Sequence, residues 1–126
     1  MEKKYISTRN QQKEINFYQA IVQGIGEDGG LLVPDFDFTK MDLDVLSKLN
    51  YVDLATEVLS TFVPEEGKEL IHDACLNAYG KGLFPEIVVP VKKAGDVYVA
   101  ELFHGQTAAF KDMALSLLPY LMTLSL

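Results

Sequence analysis

The stretch FHGQTAAFKD, Phe103 to Asp112, lies between a run of strand formers at Val97 to Leu102 and the most apolar segment of the chain, LSLLPYLMTLSL at 115–126. Its reading decides what kind of fold the rest belongs to. A strand, a short glycine-containing loop and an apolar helix form the local unit of an α/β protein. Thr107 is therefore expected to cap a single helix running from 107 to the end. Phe110, Met113, Ala114, Leu117, Leu118, Leu121 and Met122 make that helix apolar nearly all round, the pattern of a helix inside a larger body. At the end of a 126-residue chain this predicts a chain cut short, and an uncovered helix that drives self-association, by exchange between copies.

Within such a helix Lys111 falls near the first turn. There the positive end of the macrodipole and apolar neighbours disfavour an ammonium. An unprotonated amine is what Schiff-base chemistry with a carbonyl requires. A lysine followed by an aspartate at a helix start is more often a solvated side chain, and spacing alone favours that reading. His104 beside Gly105 reads as a hydrogen-bonded loop residue, and His72 as the polar flank of its helix.

Working outward, Ile87 to Val91, Ala94-Gly95-Asp96 and Val97 to Leu102 predict a β-hairpin. Pro90 puts the first strand at an edge, and the apolar residues on both faces of the second predict its burial. Upstream the text is helical in three pieces. One covers Leu43 to Leu49. The second starts near Asn50 with Leu54, Ala55, Val58, Leu59 and Phe62 on one face. The third starts at Pro64, carries the stripe Leu70, Ile71, Ala74, Cys75, Ala78 and Tyr79, and ends at Gly80. Nearer the N-terminus, Tyr5 to Arg9 predicts a strand and 10–14 a loop. Asn16 with Gln19 predicts a capped helix bearing Phe17, Ala20, Ile21 and Ile25, ended by Gly24 and Gly26. Asp28-Gly29-Gly30 supplies positive-φ positions before a short strand, Leu31 to Val33, closed by Pro34.

Composition narrows the classes. Eighteen acidic against eleven basic residues leave a formal charge of −7, which argues against a phosphate-backbone binder. Cys75 is the one cysteine, so there is neither a disulfide framework nor a thiolate zinc site, and a reducing, cytoplasmic setting is expected. Two distant histidines make a metal cluster improbable. No apolar run reaches membrane-spanning length. The glycines at 24, 26, 29 and 30 fit neither a dinucleotide nor a P-loop spacing. Ser7-Thr8-Arg9 could contact a phosphate, although a strand-end arginine more often pairs with a carboxylate.

Three separated motifs, in order, carry a resemblance. ELFHGQTAAFKD at Glu101 to Asp112 closely resembles the pyridoxal phosphate lysine motif of threonine synthases, ELFHGPTxAFKD. YISTRN at Tyr5 to Asn10 is similar to the family's Y-x-STR-G start, and QAIVQGIGEDGGLLVP at Gln19 to Pro34 resembles its A-x-x-x-G-L-A-x-DGGL-x-VP segment. Tyr51 to Phe62 and Ile87 to Pro90 follow in the family's order. Gln106 stands for the usual proline and Asn10 for the usual glycine, so a less rigid loop and an altered first turn are expected.

The resemblance implies an α/β fold. Residues 1–94 would be an N-terminal helical domain with short strands; residues 95–126 would begin a fold-type II pyridoxal phosphate domain with the end of the hairpin and its first helix. It implies conversion of O-phospho-L-homoserine and water to L-threonine and phosphate. Lys111 would hold the cofactor and move protons at Cα and Cβ, Phe110 would pack on the cofactor ring, and His104, Thr107 and Asp112 would support the motif. The family's phosphate loop and ring-nitrogen partner lie beyond position 126. The chain alone is therefore expected neither to bind pyridoxal phosphate nor to turn over. A threonine-synthase-like phospholyase, another fold-type II lyase and a non-enzymatic association domain are the alternatives.

Overall fold

The computed structural model describes residues 3–126. A three-stranded antiparallel sheet runs in the order β2 (Ile15–Asn16), β1 (Lys4–Ser7), β3 (Leu32–Pro34). Tyr5 lies opposite Ile15 on one side and Pro34 on the other. The two-residue β2 is a strand that the polar run before it hides. Helix α1 (Phe17–Gln23) starts on the predicted capping box: the Asn16 side chain accepts from the Gln19 N–H, and the Gln19 side chain accepts from the Asn16 N–H, both at 2.9 Å. Gly24, at φ 73°, ends the helix, which leaves Ile25 outside it and half exposed.

Asp28 organises the turn that follows. Its Oδ1 accepts from the Ser7 hydroxyl at 2.7 Å and the Gly30 N–H at 2.8 Å, and these bonds hold its carboxyl below the ordinary range. Gly29 takes the positive φ expected of it. Gly30 does not; it is small because a Cβ there would collide with Ser7 Oγ and lie 3.0 Å from the Arg9 nitrogen. The Arg9 guanidinium donates to the Asp28 carbonyl at 3.0 Å, and so braces this turn through a backbone carbonyl.

Helices α2 (Leu43–Leu46) and α3 (Tyr51–Ser60) are capped by Asp42 and Asn50. A 3₁₀ turn (Glu65–Gly67) follows, with Pro64 just before it, and leads into α4 (Lys68–Tyr79). Helices α3 and α4 form the most extensive helix pair. The α4 stripe holds at Ile71, Ala74, Cys75, Ala78 and Tyr79, but Leu70 points outward. On α3 the inward face is Val52, Ala55, Thr56 and Leu59, with Val58 exposed. Thr56 buries a hydroxyl there by donating to the Val52 carbonyl at 2.8 Å, so a polar residue occupies a position that an apolar count passes over. Val63, Ile71 and Cys75 are the most enclosed large side chains.

The C-terminal third departs most from expectation. The hairpin is β4 (Val91–Ala94) with β5 (Val97–Ala100), joined by Gly95 at φ 63° and Asp96. A glycine of positive φ at the first position matches a two-residue type II′ turn. Residues 86–89 are bends and not strand, with Val88 turned inward. The expected burial of β5 is overturned: Val97, Tyr98 and Val99 are 60%, 72% and 44% exposed. The hairpin's substantial contacts are between its own two strands, so no layer covers it.

The single helix expected from Thr107 onward is two, α5 (Asp112–Leu115) and α6 (Leu118–Ser125). Pro119, which lacks an N–H and suits a first turn, restarts the helix at α6. Leu117 and Leu121 are buried, and α6 packs on α1 and α4; Leu118 and Met122 remain partly open. The helix has one face in the core. No helix of the described residues is long and apolar enough to cross a membrane.

The split stripe on α4 sets a stability contrast. Ile71→Ala, at a site 2% exposed, is expected to cost about 2–5 kcal/mol in urea unfolding. Leu70→Ala, one residue away at the surface, should stay within about 0.5 kcal/mol.

Candidate functional site

Residues 101–112 fold as a chain of clamps around the lysine. Glu101 is the first. One of its carboxylate oxygens meets Lys92 Nζ at 2.9 Å across the hairpin and the other meets His104 Nε2 at 2.7 Å. Hydrogen bonds from Lys92 and then His104 hold Glu101 below the ordinary carboxylate range. His104 is thus tied back to the strand end, its ring 4.7 Å from that of Phe103.

Asp112 is the second clamp. Its side chain is buried, accepting the Thr107 N–H at 2.7 Å and the Thr107 hydroxyl at 2.6 Å. Those bonds, the hydroxyl's first, depress the Asp112 carboxyl pKa. Thr107 was expected to cap a helix beginning beside it. Its amide instead reaches forward to Asp112, closing residues 107–112 into a loop. Gly105 is required by that closure, since a Cβ there would lie 2.6 Å from Asp112 Oδ2. Ala108 takes φ 57°, a left-handed conformation unusual for a residue with a Cβ.

Lys111 therefore stands at the boundary between this loop and α5, with helical φ and ψ, exposed. Phe110 beside it is 65% exposed. The helix-dipole setting expected for the lysine is weak here, because α5 has only four residues. What the fold supplies is an accessible amine beside an accessible aromatic face, on a loop closed at both ends. Two open clefts of about 680 and 720 Å³ lie elsewhere, lined by residues of the N-terminal region such as Asp53, Glu66 and His72 in the first and Lys3, Asn16 and Tyr18 in the second.

The structure thus brings Thr107 and Asp112 together and sends His104 to Glu101. Lys92, Glu101 and Gly105 were not singled out from the residues. The available signal was the spacing of Glu101 and His104 three apart, together with a lysine facing the second strand across a predicted turn. The described residues include no group of three or more histidine, cysteine or carboxylate side chains placed to hold a metal ion.

Residues 4–79 match the family model described as the threonine synthase N terminus, more than half of the chain. The chain belongs to the threonine synthase family. Among its relatives, threonine synthase from Methylobacillus glycogenes is 37% identical over 91% of this chain and 26% of its own length. Threonine synthase-like 2 from Homo sapiens is 33% identical over 89% of this chain and 24% of its own. The pyridoxal phosphate-bound crystal structure of threonine synthase from Brucella melitensis superposes with a TM-score of 0.83 at 31% identity, over 98% of this chain and 27% of that one. The chain spans about a quarter of the length of the threonine synthase relatives it matches.

The pH dependence of stability follows from Asp112. A carboxyl whose folded pKa is depressed contributes stability that is fully present above the unfolded value and is lost as pH falls through the folded one. The thermal midpoint is expected to drop as pH falls below about 4. Asp112→Asn should melt lower at neutral pH and lose less on acidification, read by circular dichroism melts between neutral and acid pH. Asp28, depressed in the same way, contributes a drop that remains in the variant.

Proposed function

We propose that this chain supplies the cofactor-lysine segment of a threonine synthase acting on O-phospho-L-homoserine and water to give L-threonine and phosphate. The observation that carries the reading is the Thr107–Asp112 clamp next to Lys111, with bonds of 2.6 and 2.7 Å. It fixes a reachable amine within the segment that resembles the family's lysine motif. The residues present fit the attachment point of pyridoxal phosphate: a primary amine and the exposed Phe110 ring beside it. When bound, pyridoxal phosphate supplies the electron sink for negative charge at the substrate carbons.

The chain's own part is narrower. Lys111 would bind the cofactor through its amine and, once released, carry protons to and from the substrate carbons. Phe110 would cover one ring face. Thr107, Asp112 and His104 position the lysine and do not themselves react. In this reading residues 1–94 are the N-terminal domain and 95–126 the opening of the cofactor domain.

A second reading has one observation behind it. Threonine synthase-like 2 from Homo sapiens is 33% identical to this chain, close to the identity of the threonine synthase relatives. A phospholyase outcome differs in products alone, giving phosphate with a keto acid and ammonia.

In a chimera this chain would replace the corresponding quarter of the Methylobacillus glycogenes threonine synthase. It is expected to release threonine and phosphate in equal amounts from O-phospho-L-homoserine. Lys111→Ala should lower that rate by at least about a thousandfold. Phosphate accompanied by a keto acid instead of threonine selects the second reading, and full activity without Lys111 sinks both.

A further inference from the structure

We infer that Tyr79, the last residue of α4, is a positioning residue for Lys111, acting through the carbonyl of Met113. The inference rests on the reading of Lys111 as the cofactor lysine and adds to it a residue from outside the lysine segment.

The clamps around Lys111 are local. Asp112 holds Thr107 across five positions, and Glu101 holds His104 across three. Bonds of that reach fix the shape of residues 101–112 but move with them. They do not place the amine relative to the rest of the molecule. The Tyr79 hydroxyl does, donating to the Met113 carbonyl at 2.6 Å across 34 positions of chain.

That carbonyl is open to Tyr79 because the helix breaks. In a continuous α-helix it would accept from the Leu117 N–H, four residues on. The Leu117 N–H goes instead to the Ala114 carbonyl at 3.1 Å. Lys111 belongs to the same turn as Met113, its own carbonyl accepting from the Ala114 and Leu115 N–H groups at 3.0 and 2.8 Å. The two residues are only about 3 Å apart along the helix axis, so a displacement of Met113 carries the lysine with it.

Tyr79 is itself held. It is 8% exposed, and its ring meets Tyr51 at 5.1 Å, edge-on, and Phe84 at 5.7 Å. With two side-chain torsions and two aromatic neighbours, its hydroxyl has a fixed place. The α3–α4 pair therefore sets the point from which α5 is hung. The Met113 side chain also packs against the core, but apolar contact is non-directional and allows sliding. A phenol–carbonyl bond does not.

The test uses the chimera described above. Tyr79→Phe keeps the ring and removes the hydroxyl. It is expected to lower kcat by at least about tenfold with KM for O-phospho-L-homoserine within about twofold, the pattern of a misplaced reacting group. Amide exchange at 113–117, read by mass spectrometry, should quicken by at least about fivefold. Tyr5→Phe removes an equivalent bond, to the Phe62 carbonyl at 2.6 Å, between two residues of the N-terminal region. It should lower the thermal midpoint to a similar extent while leaving kcat within about twofold and exchange at 113–117 unchanged. Equal losses of kcat from the two substitutions overturn the inference, as does a loss confined to KM. If the unsubstituted chimera releases no threonine, the reading of Lys111 fails separately. The exchange comparison then decides: quickening at 113–117 with Tyr79→Phe alone supports the positioning role, and unchanged exchange overturns it.

Discussion

Tyr79 holds the two ends of this molecule together. Its hydroxyl donates to the Met113 carbonyl at 2.6 Å, and its ring stacks edge-on against Tyr51 and tilted against Phe84. That one side chain reaches from the last turn of α4 to α5, the element that begins just after Lys111. Burial raises its phenol's pKa, so it remains a donor throughout the working pH range. Tyr5 does the same at the other end of the core, donating to the Phe62 carbonyl at 2.6 Å, with its own pKa pushed up to about 12. Each phenol satisfies a carbonyl at the end of a packed element, where a helix leaves acceptors over. The lysine's position therefore depends on residues more than thirty positions upstream.

The parts of the fold that were legible are those fixed by local chemistry. Asn16 with Gln19, Gly24 after α1, Asn50 before α3 and the Gly95 turn each satisfy or bend backbone within a few residues. The apolar stripe on α4 was readable because two turns of helix repeat it. What could not be read depended on partners far away in sequence. Leu70 and Val58 carry the right chemistry for the core but face water, because the crossing of α3 and α4 selects slightly different faces than the counts do. Thr56 is inside because its hydroxyl returns to its own helix.

The same distinction explains the lysine segment. The motif was recognisable as a string, yet its conformation was misread as helix, because Thr107 can satisfy its amide in two ways. Capping a helix would keep that N–H at the helix start. Bonding Asp112 sends it forward and leaves residues 107–111 as a loop. Gln106, where the motif that this segment resembles has proline, gives up a fixed φ in that loop. The double acceptance by Asp112 restrains the same segment from the other side. Asn10, the other departure, accepts from the Gln12 N–H at 3.1 Å and so forms its own tight turn without glycine.

The hairpin's isolation also has a consequence for motion. An element anchored by its own ladder and a type II′ turn can open without disturbing the aromatic core, since almost nothing apolar must be exposed anew. Glu101 is then its tether, joining β4 through Lys92 and the following loop through His104. The amides of 91–100 are expected to exchange as a unit of their own. The amides around Val63 and Cys75, in the most enclosed part of the core, are expected to exchange most slowly.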